Sequence, residues 1–205
     1  MAEIRVSPTR MELLRLKKRT ALAQKGHKLL KEKRDGLMQE FLKIIRQAQL
    51  LRREVDKQLG AAQAHFAMAE ATMTPQMVHL LQFIQPHQAS LDVRIRNVMG
   101  VEIPDFTIQL EETTDQYSAW ETSPGLDEGM ATFREVLIKL LELAGIEKSA
   151  QLLAQEIERT RRRVNALEYV LLPQLTRTTR YIRMKLDEQE RAAITTTMAV
   201  KRQMV

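Results

Sequence analysis

Four histidines, two adjacent acid pairs and one arginine triplet have the most chemistry to offer here, and their spacing directs most of them away from catalysis. His27, His65, His79 and His87 form no His-x-x-x-His pair of the kind that sets two imidazoles on one helix face for a metal. None stands beside a serine in a nucleophile motif. His27 falls on an apolar seam, where a polar residue more often sets the register of paired helices. In Glu111-Glu112 and Asp127-Glu128 neighbouring side chains point apart, which suits a solvated loop better than an acid–base pair. Gly145 to Ser149 ends like a phosphate loop but lacks its first glycine and its preceding strand. The chain has no cysteine, which removes thiolate metal sites, cysteine nucleophiles and disulfides. These patterns lead us to expect no catalytic residue, metal or cofactor.

The charges carry more information. Arg161-Arg162-Arg163 covers most of a helix circumference, so at least one of the three is expected to face a partner helix or a third chain. A solvated face competes with that reading. Arg34 lies at a seam position and is a similar case. From Arg5 to Arg34 eleven Lys/Arg stand against Glu12 and Glu32, and from Arg159 to Lys185 eight stand against Glu168. From Glu102 to Glu128 there are eight acids and no base. Basic ends and an acidic middle imply different partners at two poles. The basic run lacks interleaved aromatics and a base-reading motif, so nucleic acid is not the expected partner. The candidate partner-contact residues are Arg161, Arg162, Arg163, Lys17, Lys18 and Arg34.

The elements that position these residues follow from the apolar period. Charged residues make up 28% of the chain and aromatics 4%, a composition suited to long helices rather than a thick core. Ser7-Pro8-Thr9 is a helix start, and no further proline occurs before Pro75. Between them Leu16, Thr20, Ala23, His27, Leu30, Arg34, Leu37, Phe41, Ile44, Ala48, Leu51 and Val55 step by four and three, a heptad seam. After Val55 the seam is read as slipping to Leu59, then resuming at Ala62, Phe66 and Ala69. A helix over 9–71 would be roughly 95 Å long, and its stripe needs a partner of similar length. The partner runs over 126–199 through Met130, Phe133, Leu137, Leu140, Leu143, Ile146, Ala150, Leu153, Ile157, Thr160, Val164, Leu167, Leu171, Leu175, Thr178 and Ile182. Pro173 interrupts it, so a kink is expected there, with Gly145 a weaker soft spot.

Between the helices, Met77 to Phe83 reads as a short helix, and period-two alternation over 91–98 and 101–109 reads as a β-hairpin reversing at Asn97 to Gly100. Thr113 to Gly125 reads as loop. The expected fold is therefore mainly α: an antiparallel two-helix coiled coil, with a small middle segment holding a short helix and a hairpin. Its parts are an N-terminal helix over 1–72, a cap over 73–125 and a C-terminal helix over 126–205. No apolar run approaches the ~20 residues that span a bilayer, and no signal peptide is evident, so a cytoplasmic protein is expected.

Two blocks then match a known family. SPTRMELLRLKKRTALAQKGHKLLKEKRDGLMQEF, Ser7 to Phe41, carries Pro-Thr-Arg at Pro8 to Arg10 and Gly-x-x-Leu-Leu-Lys at Gly26 to Lys31. RRRVNALEYVLLPQL, Arg161 to Leu175, carries Arg-Arg-Val-Asn-Ala-Leu-Glu at Arg162 to Glu168, with Pro173 shortly beyond. Together with NVMGVEIP at Asn97 to Pro104, the chain resembles the D subunit, the central rotor shaft, of V-type and archaeal-type rotary ATPases. The family's C-terminal helix usually ends in a basic run; here Ala192 to Val205 is rich in Thr and Met, with Lys201-Arg202 its only bases. The resemblance implies a non-catalytic subunit whose paired termini enter a ring of catalytic A and non-catalytic B subunits. It implies the F subunit alongside, and a middle segment on the C/d-type subunit that caps the membrane rotor. Rotation would couple ATP hydrolysis or synthesis to H⁺ or Na⁺ passage, with the membrane touched only through partners. A prefoldin-like coiled-coil chaperone or another helical adaptor is the alternative reading.

Overall fold

The computed structural model describes residues 7–81, 89–110 and 124–204. In chain order these form α1 (Arg10–Thr72), α2 (Pro75–Leu81), β1 (Ala89–Val98), β2 (Val101–Leu110), α3 (Pro124–Ala166), a π-helical turn (Leu167–Leu171) and α4 (Leu172–Gln203). The long N-terminal and C-terminal helices pack against each other, with the short helix and hairpin between them in sequence. Each end of α1 has a local cause. The Glu12 amide donates to Thr9 Oγ1 at 3.3 Å, and Thr9-x-x-Glu12 is a capping-box spacing. At the other end Pro75 keeps Thr74 out of the helical region and opens α2, where Thr74 O accepts the Met77 and Val78 amides.

The chain divides into two compact units: Met1–Gly36 with Ile157–Val205, and Leu37–Glu156. In the first unit Leu16, Leu175 and Ile182 form a buried cluster flanked by Leu13, Ala23, Leu171 and Leu186. The pairing there is antiparallel, with Arg10 beside Glu190 and His27 beside Glu168. In the second unit Arg52 pairs with Glu147, Glu54 with Lys139 and His65 with Glu128, again antiparallel. All these pairs are at least partly open to water, so each adds little to stability.

The first seam is buried or half-buried as expected up to Val55, but the slip after Val55 does not occur. Gln58, Ala62, His65 and Ala69 occupy the interface while Phe66 is 42% exposed. The three-four alternation therefore continues unbroken beyond Val55 to Ala69, through the two polar residues Gln58 and His65. Apolar character misled the reading at Phe66; the phase set by the eleven seam steps from Leu16 to Val55 outweighs one aromatic side chain. The Gln58 amide oxygen is buried and finds no donor among the described residues.

The start of the second seam also differs. Phe133 and Leu137 are exposed, at 45% and 37%, and Gly129 and Val136 are buried instead. Gly129 explains the phase. A Cβ there would lie 3.6 Å from His65 Cβ and 3.6 Å from the Phe66 amide nitrogen, so the two backbones approach closely at this point. From Leu140 to Ile182 every expected seam residue is buried or half-buried. Gly145 is no soft spot. It lies buried inside unbroken α3, where a Cβ would come 3.2 Å from the Phe106 ring.

The hairpin pairs β1 with β2 antiparallel, from Val98↔Val101 to Ala89↔Leu110. Met99 and Gly100 have φ of 53° and 87°, the two left-handed residues of a type I′ turn. Asn97 Oδ1 accepts the Gly100 amide at 2.8 Å. The hairpin rests on the helices through β2. Val101 and Ile103 are buried, the Phe106 ring covers Gly145, and Ser149 Oγ donates to Gly145 O at 2.8 Å and reaches Pro104 O at 3.4 Å. The expected loop over 113–123 lies outside the described residues, while Pro124 and Gly125 already belong to α3.

Candidate partner-contact surface

The arginine triplet is placed by its neighbours. Thr160 and Val164 are each 1% exposed and sit on the seam four residues apart. At about 100° per residue, the three residues between them take the remaining directions. Arg161, Arg162 and Arg163 are all exposed. Of the two expected alternatives, a partner helix or a third chain, the partner helix is thus excluded for the triplet, because Thr160 and Val164 occupy that direction. Arg162 reaches Glu158 at 3.0 Å on the same helix, an exposed i,i+4 pair worth a few tenths of a kcal/mol. Arg161 and Arg163 form no ion pair among the described residues, and neither do Lys17 and Lys18 on α1, also exposed. Arg34 is half-buried on the seam, and its Nε and terminal nitrogen donate to Asp35 Oδ1 at 3.0 and 2.7 Å. Its charge is thus partly met by its own neighbour.

These cations belong to a strongly charged unit. Residues 1–36 and 157–205 hold 22 Lys/Arg against 9 Asp/Glu, a net of +13; residues 37–156 hold 10 against 17, a net of −7. Since the seam is mostly apolar, the first unit's cations line its exterior. A field of that sign favours the approach of an acidic surface over a basic one.

The π turn lies directly after the triplet. Seam positions Val164, Leu167, Leu171, Leu175, Thr178 and Ile182 advance by three, four, four, three and four. A strict heptad would place the residue after Leu171 at 174. The sequence thus holds one extra residue, and the π turn absorbs it: the Leu172 amide bonds to Leu167 O, five residues back. Leu175 and Ile182 consequently stay at 0% exposure. Pro173 directly follows the π turn in a helix that runs on without a break, so the wider turn, and not a free helix end, accommodates its ring and missing N–H. None of the five π residues is buried. Tyr169 and Val170 are 69% and 51% exposed, and Glu168 turns its carboxylate to His27 Nε2 at 3.3 Å. The four-four step was visible in the sequence and is the signal that locates this turn.

The remaining chemistry-bearing side chains build no second site among the described residues. No group of three His, Asp or Glu is arranged there to hold a metal. Gly145 and Ser149 serve packing in mid-helix, as described. His79 is exposed at the end of α2, and His87 and Glu111-Glu112 lie outside the described residues. Asp127 stands in the first turn of α3, with Glu128 directly after it. A cavity of about 200 Å³ opens under the hairpin, lined by Ile44, Arg96, Ile103, Phe106, Glu142 and Ser149 among others. Among the described residues, no helix is long and apolar enough to cross a membrane.

With this arrangement in hand, the chain can be set beside known proteins. A family model for the ATP synthase D subunit matches residues 12–202. The sequence is 50% identical to a V-type ATP synthase D subunit of Acetivibrio thermocellus, over 100% of this chain and 94% of that protein. Proteins of the same description from Clostridium novyi and Fusobacterium nucleatum are each 45% identical over 98% of this chain, covering 95% and 97% of their own lengths.

Proposed function

The chain belongs to the family of ATP synthase D subunits, components of V/A-type rotary ATPases, and from that premise we propose that it is the rotating central shaft of its complex. In this reading it is a non-catalytic subunit, peripheral to the membrane. Its basic unit turns inside a ring of catalytic A and non-catalytic B subunits, with the F subunit alongside. Its hairpin-bearing unit engages the C/d-type subunit that caps the membrane rotor. Rotation then links ATP hydrolysis or synthesis to H⁺ or Na⁺ passage.

The observation that carries this reading is the exterior of the first unit: a net +13 whose triplet, Arg161 to Arg163, is exposed at all three positions. A shaft must be held in orientation without being locked at one angle. Solvated charges meet that need, because they govern encounter and alignment more than residence, whereas a large apolar interface holds one pose. We assign Arg161, Arg162 and Arg163, with Lys17 and Lys18, to the contact with acidic partner surfaces. Arg34 joins them only where a partner competes with Asp35. We further propose that the π turn and Pro173 bend the helix axis and so contribute the asymmetry that a rotor requires.

The test is the double charge reversal Arg161→Glu/Arg163→Glu in the reconstituted complex. Assembly with the A/B ring, or ion pumping per ATP hydrolysed, is expected to fall, with the defect deepest at low ionic strength, where charges act over longer range. Unchanged assembly and coupling would withdraw the assignment.

A further inference from the structure

Val170, Pro173, Arg177, Tyr181 and Met184 step by three, four, four and three through the π turn and α4, a second row at helical spacing. It is not the buried seam. Arg177 and Met184 each stand two residues beyond a buried seam residue, Leu175 and Ile182, which sets them about 200° round the helix from it. Val170, Tyr181 and Met184 are 51%, 54% and 62% exposed, and Arg177 and the nearby Arg180 are exposed too. The row thus has apolar ends and a cationic centre. Arg177 and Arg180 form no ion pair among the described residues. The hydroxyls of Thr176, Thr178 and Thr179 donate to carbonyls of their own helix at 2.9, 2.8 and 2.7 Å. That leaves the two guanidinium groups and the Tyr181 hydroxyl as the donors the row offers. The row lies wholly within the described stretch 124–204. Residues 1–6 join the chain near Arg10, beside Glu190 and about 20 Å along the helix from Arg177.

The type of cation is informative. From Arg10 to Arg34 the first helix carries six Lys and four Arg, whereas from Arg159 to Arg191 the chain carries eight Arg and one Lys. A lysine ammonium is compact and strongly hydrated; a guanidinium sheds water more readily and forks onto a carboxylate through two N–H groups. Arg, Tyr and Met are enriched at protein interfaces, and Lys is depleted there. We propose that this row is a docking site for an acidic amphipathic helix of a partner protein. Its central carboxylates meet Arg177 and Arg180, and its apolar residues lie toward Val170, Tyr181 and Met184. Arginines three residues apart stand about 5–6 Å from each other, which matches carboxylates three or four residues apart on the incoming helix. Apolar anchors at helical spacing are the mark of helix recognition by a surface of this kind. A nucleic acid fits poorly. Exposed Asp187 and Glu188 follow the row directly and repel a continuous phosphate backbone, and phosphates have no use for Val170 and Met184. A second copy fits poorly as well, because two units of net +13 repel each other. The row is distinct from the contact assigned above to Arg161, Arg162, Arg163, Lys17 and Lys18, and it does not rest on the rotary reading.

The experiment titrates the full chain, at physiological salt, with two labelled synthetic peptides of about 18 residues, long enough to cover a row of about 21 Å. One carries a leucine row with central glutamates at i, i+4; its twin has glutamine in their place. The glutamate peptide should bind, and the glutamine twin about tenfold more weakly. Arg177→Ala/Arg180→Ala should cost about tenfold. Arg177→Lys/Arg180→Lys keeps the charge but loses the fork and should still cost about threefold or more. Tyr181→Ala/Met184→Ala should cost about tenfold with no change of charge. Lys25→Ala/Lys28→Ala removes two cations from exposed positions of α1 and should stay within about twofold. Every substituted side chain is exposed, so thermal melts should match the parent. In the native complex, a photo-crosslinking residue at Met184 should attach to a helical segment whose acids stand three or four residues apart.

No binding of the glutamate peptide, or equal binding of the two peptides, overturns the proposal. Equal losses in the arginine and lysine double variants reduce the effect to a general field and overturn it too. Duplex DNA that binds more tightly than the peptide, and is released by the same arginine substitutions, assigns the row to phosphates. A doubled mass of the free chain that Tyr181→Ala/Met184→Ala returns to monomer assigns it to a second copy. A crosslink to a segment without acids excludes an acidic helix. Each of these overturns the proposal and leaves the rotary reading to its own test in the reconstituted complex.

Discussion

The π turn yields a prediction that separates two causes. Either Pro173 forces the i→i+5 turn, or the extra seam residue does. Replacing Pro173 by Ala restores an N–H but leaves the extra residue. If Leu167 to Leu171 then became α-helical, everything beyond would rotate by about 100° and carry Leu175 and Ile182, each at 0% exposure, off the seam. Losing two such burials costs about 3–6 kcal/mol at ~1.5–3 kcal/mol per side chain. The gain from removing proline is smaller, because the π turn directly before Pro173 already relieves part of the clash and lost bond that proline brings to a helix interior. The seam should win: Pro173→Ala keeps the π turn and shifts stability by about 1 kcal/mol or less.

Deleting Val170 is the complementary perturbation. Leu172 then takes the seam position of Leu171, and Leu175, Thr179, Ile182 and Leu186 follow in strict three-four alternation. The π turn becomes unnecessary, but proline is left inside an unbroken helix at a cost of about 3 kcal/mol. At ~2–4 °C per kcal/mol for a chain of this size, the deletion alone should lower Tm by roughly 6–12 °C. Adding Pro173→Ala to it should return Tm to the parent value or above. Thermal melts followed by far-ultraviolet circular dichroism, with site-resolved exchange at the Leu172 amide, read the outcome. A straight helix in Pro173→Ala alone would refute the reasoning and make proline the cause.

Two further sets of substitutions test the packing. Gln58→Leu removes a buried carbonyl oxygen that has no donor among the described residues and should stabilise the chain by about 1 kcal/mol in urea denaturation; a loss of stability would mean that the amide has a partner. Gly26→Ala and Gly60→Ala place a Cβ in open space and should each gain roughly 0.5–1 kcal/mol of helix stability. Gly145→Leu instead drives into the Phe106 ring and should lose about 1–3 kcal/mol, with faster exchange at the Phe106 amide reporting release of the hairpin.

Much of the molecule was legible in the order of its residues. The heptad steps from Leu16 to Val55, the absence of proline between Pro8 and Pro75, and the alternation from Leu91 to Ile103 dictate a long helix, a returning partner and a hairpin. Each rests on a local period that the backbone geometry repeats wherever it occurs. The family was legible too, in the blocks at Ser7 to Phe41 and Arg161 to Leu175. Which of two neighbouring residues faces the partner was not. Phe66, Phe133 and Leu137 looked like core because they are large and apolar, but Gln58, His65, Gly129 and Val136 are the ones at the interface. A stripe specifies an azimuth only to within about one residue, and the close approach of two backbones at Gly129 and His65 resolved the rest. The same holds for the exposure of Arg161 to Arg163. Composition and period determined what elements this chain makes and which charges it carries. Only packing decided which faces those elements spend on one another, because burial is a property of two surfaces and no single segment contains both.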